Sequence, residues 1–308
     1  MAIYLMIGIP ASGKSTYVKN NLHKGFEIVS SDSIREELFG NVAEQKRNDI
    51  VFNTMFKRTL AFANLGLNVY YDATNINRKK RINLIKNIKE KIPNIDIHGV
   101  VMATPYKQCL KNNLGRKNQV PNFVIKRMYY SFQPPAFEEG FTTIRYIQKY
   151  RPLDLEKNLT ISKIVPHNNK HHRLTIGNHM IEAEKFIDHY YETHPGIEEK
   201  EKNLLHLAAK YHDIGKLETK KFENGKGEET EDAHYYSHQN VGAYQIMCSN
   251  LIKMCDNPTM LINLVYHHMD YYFDNKINKT KNFFSSTNYS ENFLGYLDLL
   301  HQADLNSH

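Results

Sequence analysis

Eight residues near the amino terminus, Gly8-Ile9-Pro10-Ala11-Ser12-Gly13-Lys14-Ser15, have the types and order needed to hold a chain of phosphates. Glycines let backbone N–H groups close around phosphate oxygens, and a helix beginning at Lys14 adds the positive end of its dipole. Lys14 can reach the β- and γ-phosphates, and the Ser15 hydroxyl can hold Mg²⁺. The pattern is Walker A, set after an apolar run at 3–8 and before a helical stretch, as that pattern requires. Gly8, Ser12, Gly13, Lys14, Ser15 and Thr16 are the candidate nucleotide contacts.

Two carboxylates follow at the ends of later apolar runs. Asp32 and Arg35 are three residues apart and would project from one face of a helix start. A carboxylate there can take the proton of an attacking hydroxyl, although Ser33 and Glu36 also read as a capping box. Asp72, in Asp72-Ala-Thr-Asn75, is placed either to pair with Arg35 or to help order the metal.

The second half carries a different chemistry. Of 16 histidines, only His23 and His98 precede residue 151. The other half holds Thr175-Ile-Gly-Asn-His179, His212-Asp213-Ile-Gly-Lys216, His238-Gln-Asn-Val-Gly242, Tyr266-His267-His268-Met269 and Asp304. Neutral imidazoles and carboxylates are donors for a divalent metal, and facing helices of a bundle can bring them together. His267 and His268 compete for one ligand position; the apolar run 261–265 and Met269 favour His268. His189, His194, His206 and His234 read as surface or loop histidines.

The elements that must position these groups fall into two sets. Residues 1–150 alternate apolar strand runs (3–8, 26–29, 67–72, 96–103, 143–148) with helical stretches (14–22, 43–64, 78–92, 106–113, 121–132), which implies a parallel sheet with helices on both faces. A polar linker is expected at 151–162. Residues 163–308 show helical patterns at 177–191, 199–211, 237–253, 258–268 and 291–304 and no convincing strand, with loops at 218–232 and 275–290. No apolar run approaches the ~20 residues that cross a bilayer, so no membrane role is expected. Three cysteines without CxxC spacing point to a reducing, cytoplasmic setting. Residues 1–150 carry 23 Lys+Arg against 11 Asp+Glu, a surplus of 12 positive charges; residues 151–308 carry 17 against 22. A basic first half suggests an anionic partner.

The first set of motifs, extended by Asn113-x-x-Arg116, Val120-Pro121 and Val124-Ile-Lys-Arg-Met128-Tyr, resembles the 5′-hydroxyl polynucleotide kinases of the phage end-healing type over nearly all of 1–150. The resemblance implies that Lys14 and Ser15 handle ATP and Mg²⁺ and that Asp32 activates the 5′-OH. It also implies that Arg35 contacts the acceptor phosphate, with Asp72 buttressing it, and that Arg116 is a lid arginine on the γ-phosphate. Asn112 departs from that pattern, standing where a second lid arginine is common, and the loop before Val120 is short. The second set resembles the HD phosphohydrolase superfamily over about 165–305. That implies a first metal on His179, His212, Asp213 and Asp304. Asp213 would bridge to a second metal on His238 and His268, with Lys216 and His172 as phosphate contacts.

The expected architecture is therefore an α/β P-loop kinase domain at 1–150 and an all-α HD helical bundle at 163–308. The expected activity is phosphorylation of 5′-OH ends and removal of 2′,3′-cyclic phosphate or 3′-phosphate. The expected cofactors are ATP, Mg²⁺ and a transition-metal pair such as Mn²⁺, Co²⁺ or Ni²⁺. DNA or RNA strand ends are the expected partners, with a nucleic-acid ligase as a further candidate. The rival expectation is a nucleoside or metabolite kinase joined to a nucleotidohydrolase or a nucleotide-sensing module.

Overall fold

The computed structural model describes residues 1–169, 173–287 and 292–307. Two compact units divide the chain: Met1–Tyr129 with Pro135–Arg151, and Tyr130–Pro134 with the residues from Pro152 onward.

The first unit is built on strands β1 (Ala2–Ile7), β2 (Phe26–Ser30), β3 (Asn68–Asp72), β4 (Asp96–Met102) and β5 (Thr143–Ile147). They form one parallel sheet in the order β2-β3-β1-β4-β5. The central strands read as unbroken apolar runs because both faces are covered; Ile3, Leu5, Met6, Ile7, Val100, Val101 and Met102 are buried. Between the strands lie α1 (Lys14–Asn20), α2 (Ser31–Phe39), α3 (Asn48–Asn64), α4 (Arg78–Lys91), α5 (Tyr106–Leu114) and α6 (Asn122–Tyr130). Parallel order puts the carboxyl ends of β1, β2 and β3 at one sheet edge, where the phosphate loop, Asp32 and Asp72 follow directly. Arg81 is fully buried and forks onto Glu139 at 2.7 and 2.6 Å, tying α4 to the turn before β5.

The expected helix at 43–64 starts only at Asn48, and α2 was not anticipated at full length. Its cap is Ser30, whose hydroxyl accepts from the Ser33 N–H, so the Ser33/Glu36 capping box is corrected by three residues.

The second unit is helical: α7 (Leu155–Ser162), α8 (Ile176–Thr193), α9 (Glu199–Tyr211), α10 (Lys216–Thr219), α11 (His238–Met247), α12 (Leu251–Met254), α13 (Pro258–His267), α14 (Asp274–Phe284) and α15 (Phe293–Leu305). On α8 the buried positions Ile176, His179, Met180, Ala183, Ile187 and Tyr191 form one stripe at helical spacing. Each buried Leu or Ile on such a stripe stabilises by roughly 1.5–3 kcal/mol, so the same burial that orders the bundle fixes the histidines carried on it.

Three expectations need correcting here. The stretch 151–162 is not a free linker: Asp154 caps α7 through the Lys157 N–H, and Leu155 and Leu159, four residues apart, are buried. The loop at 218–232 holds a hairpin of β6 (Lys221–Glu223) and β7 (Glu229–His234). The loop at 275–290 is largely α14, which buries Ile277, Thr280 and Phe284; its last residues lie outside those described.

Candidate functional site

At the first unit's sheet edge, Gly13 caps α1 with φ 93°, a left-handed conformation that glycine adopts without strain. The loop is pinned from both sides. The Gly8 N–H donates to the Thr74 carbonyl at 2.9 Å, and the Thr104 hydroxyl donates to the Ser12 carbonyl at 2.8 Å. Lys14 Nζ lies 2.9 Å from the carbonyls of both Gly8 and Ile9, so the ammonium is folded over the loop it serves. Burial lowers the Lys14 pKa, with Asp72 and Asp32 opposing the shift. Ser15 Oγ donates to Asp72 Oδ2 at 2.7 Å. Burial raises the Asp72 carboxyl, and Lys14 and Ser15 hold it back. Thr16 is exposed.

Asp72 therefore does not buttress Arg35; it belongs with Ser15, beside the position the Mg²⁺ would take. Arg35 is buried and uses Nη1 on Asp32 (3.1 Å) and Nη2 on Asn48 (2.8 Å). The Asp32 side chain stays 49% exposed, and its second oxygen lies 4.0 Å from Arg116 Nη2. Asp32, Ser33, Glu36, Glu37, Arg116 and Asn118 line an open cleft of about 560 Å³. Asn112 donates to the Ala11 carbonyl of the phosphate loop, while Asn113 clamps the backbone of Val120 through both its N–H and its carbonyl, closing the short loop that carries Arg116.

In the second unit the ligand candidates converge. His179 Nε2 lies 2.9 Å from Asp304 Oδ1 and 3.1 Å from His212 Nε2. His238 Nε2 lies 3.2 Å from His268 Nε2 and 3.3 Å from Asp213 Oδ1. Asp213 stands between the two groups, with Oδ2 3.4 Å from His179 and 3.5 Å from His212. Two donor sets result: His179, His212 and Asp304; and Asp213, His238 and His268. Gly215 allows this approach, since a Cβ there would sit 2.1 Å from the His238 carbonyl.

The donor chemistry fits a metal pair. All four imidazoles place Nδ1 against a backbone carbonyl: His179 on Ser307, His212 on Ala209, His238 on Tyr235 and His268 on Val265, at 2.7–3.0 Å. Each Nδ1 can therefore donate to a carbonyl, which leaves the inward-facing Nε2 atoms as the positions that a shared proton or a metal cation would occupy. Asp213 Oδ1 is buried and makes no hydrogen bond. Lys216 and His212 hold the Asp213 carboxyl well below its usual range against the burial penalty. Asp304 is likewise depressed by His179 and His212. Burial drives His238 down to about 3, whereas at His212 the same penalty is outweighed by Asp213, and its pKa rises to about 10. The centre thus carries two buried anions and favours positive charge.

His268 rather than His267 enters this cage. His267 turns away, with Nδ1 2.6 Å from Asp270 and its ring edge-on to Phe284. Lys216 Nζ lies 2.5 Å from Asp213 Oδ2. His172 lies outside the described residues. Two residues were not anticipated: buried His167, whose Nε2 is 3.4 Å from Lys216 Nζ, and Tyr272, whose hydroxyl donates to Asp304 Oδ2 at 2.9 Å. His189 and His194 are exposed; His206 is half-buried between Glu184 (2.9 Å) and Asp188 (3.0 Å), and His234 is half-buried.

Residues 3–135 match the family described as the AAA domain, and residues 176–282 match the HD domain. The chain carries a kinase-like P-loop domain on a parallel sheet and a C-terminal helical HD domain. Among characterised proteins, the L-seryl-tRNA(Sec) kinase of Methanococcus maripaludis is 28% identical over 146 residues, 44% of this chain and 53% of that protein. The chain thus spans about half the length of this relative. Among the described residues, no helix is long and apolar enough to cross a membrane.

Proposed function

We propose that this enzyme heals broken nucleic-acid strands: the P-loop domain moves the γ-phosphoryl of ATP to a 5′-OH, and the HD domain removes a 2′,3′-cyclic phosphate or 3′-phosphate. The observation that supports it is the presence, in one chain, of a pinned phosphate loop facing a half-exposed carboxylate and of a complete two-centre imidazole–carboxylate cage. Asp32 accepts the proton of the attacking hydroxyl. Arg35, fixed by Asn48, orients that carboxylate, and Arg116 spreads positive charge over the transferring oxygens. In the HD domain the four histidines and two aspartates would hold the metals, and Lys216 would face the scissile phosphate. Bound divalent metals there would polarise the phosphoryl group and supply a hydroxide near neutral pH.

A second reading draws on the relative. The substrate in its name, seryl-tRNA, also presents a hydroxyl on a nucleic-acid carrier. Glu36 beside Asp32 would suit an acceptor bearing an ammonium group. One experiment separates the readings: incubate the protein with ATP, Mg²⁺ and Mn²⁺ and, in parallel, a 5′-OH oligonucleotide with a 2′,3′-cyclic phosphate end, free nucleosides, and seryl-tRNA. End healing requires 5′-phosphorylation and 3′-end release on the oligonucleotide. Phosphorylation of nucleosides or seryl-tRNA alone rejects it.

A further inference from the structure

The parallel sheet of the P-loop domain carries an aromatic row that the phosphate chemistry does not use. Tyr4 of β1 pairs in register with Tyr70 of β3 and His98 of β4, which sets the three rings side by side on one face. The row runs from His23 to Phe26 (4.2 Å between centroids), Phe26 to Tyr70 (5.2 Å), Tyr70 to Tyr4 (5.3 Å) and Tyr4 to His98 (4.9 Å). Tyr70 is buried, whereas Tyr4, Phe26, Ile28 and His98 are half-buried and His23 is exposed. Helix α1 covers Met6, Val100 and Met102 higher on the same face, and its Tyr17 borders the row.

Cations edge this surface. Arg145, exposed on β5, is close enough to help lower the His98 pKa, second to burial and with Asp96 opposing. Lys149 Nζ lies 5.3 Å from the Tyr17 ring centroid. An apolar aromatic surface with cations along its margin, in a half of the chain with 12 surplus positive charges, is complementary to an unpaired strand of bases and phosphates.

We infer that this sheet face is a stacking platform for single-stranded nucleic acid, resting on the reading that the kinase acceptor is a strand end. The row lies four residues before Gly8 along β1, roughly 13 Å at strand rise. Bases a few nucleotides from the reacting 5′ end would stack here, and Arg145 and Lys149 would take their phosphates. The platform thereby selects strands over mononucleotides, which are too short to reach both places.

The test is photocrosslinking of a 5-iodouracil-substituted, 5′-OH single strand of about 12 nucleotides, within the ~4–16 nucleotides such surfaces engage. Adducts are mapped by mass spectrometry, alongside fluorescence anisotropy of the same strand. Adducts on Tyr4, Phe26 or His98 are expected. Phe26→Leu should weaken binding roughly tenfold, and Arg145→Ala with Lys149→Ala should lower the log–log salt slope by about 1.4. Because the double variant changes only exposed side chains, it reads the platform even if Phe26→Leu perturbs folding. Phosphorylated strand without adducts on these residues overturns the platform and leaves the kinase reading intact. Adducts without phosphorylation keep the platform and reject the kinase reading.

Discussion

Removing one hydroxyl should loosen the first metal centre without touching the other active site. Asp304 uses Oδ1 towards His179 and His212, and its other oxygen accepts from Tyr272. Burial, helped by the neighbouring Asp304 charge, raises the Tyr272 pKa, so the phenol remains a donor across the working pH range. A hydrogen bond to a charged group contributes about 1.5–3 kcal/mol when buried. Tyr272 is 40% exposed, so about 1–2 kcal/mol is the fitting range. At 1.4 kcal/mol per decade, Tyr272→Phe should raise the Mn²⁺ dissociation constant of one centre by roughly 5- to 30-fold, in line with the ~10- to 100-fold typical of such outer partners. Calorimetric Mn²⁺ titration of the metal-stripped protein measures it. Phosphohydrolase turnover at saturating Mn²⁺ should change by less than about twofold, and ATP-dependent phosphorylation should be unaltered. An unchanged dissociation constant would refute the claim that Tyr272 orients a metal ligand.

Lys14→Ala should cut phosphorylation by at least ~10²–10³-fold and leave the hydrolase intact, and Asp213→Ala should do the converse; loss of both activities in either variant, read by paired end assays, would contradict two separate sites. Asp32→Asn should lower the phosphorylation rate ~10²–10⁴-fold with nucleotide affinity kept, checked by single-turnover kinetics beside ATP binding. The Glu184 hydrogen bond, with Asp188, raises His206 to about 9, above the ~6.5 of an unfolded chain, against the burial penalty. Its stabilisation is complete below pH ~6.5 and disappears as pH rises through ~9, so the melting-temperature gap between wild type and His206→Gln should be widest near pH 6 and close towards pH 10.

The chemistry-bearing residues were legible because their types are uncommon at these spacings and because they ride on strongly patterned elements. His179 lies within the apolar stripe of α8, and Asp304 shares the buried face of α15 with Leu297 and Leu300. What escaped depends on partners distant in sequence. Tyr272 meets Asp304 across 32 residues, and His167 meets Lys216 across 49. Asp72 could have served either of two neighbours, and only the meeting of the β3 end with α1 selects Ser15. The β6–β7 hairpin was hidden by composition: in Glu229–His234 only Ala233 is buried, so no alternation appears. Asn224-Gly225 was the available turn signal; Asn224 accepts from the Lys226 and Glu228 N–H groups, and Gly227 takes φ 83°.

The chain crosses between its two units more often than a two-bead picture allows. After α6 it enters the second unit for Tyr130–Pro134, then returns to complete β5. Within that short visit Tyr130 donates to the Glu218 carbonyl, the Phe132 carbonyl accepts from Asn240, and the Phe132 ring packs edge-on against Tyr244. Cutting the gene at residue 151 would therefore deliver a C-terminal fragment lacking a five-residue strap that braces the helix bearing His238. A fragment meant to keep that strap would have to begin before Tyr130.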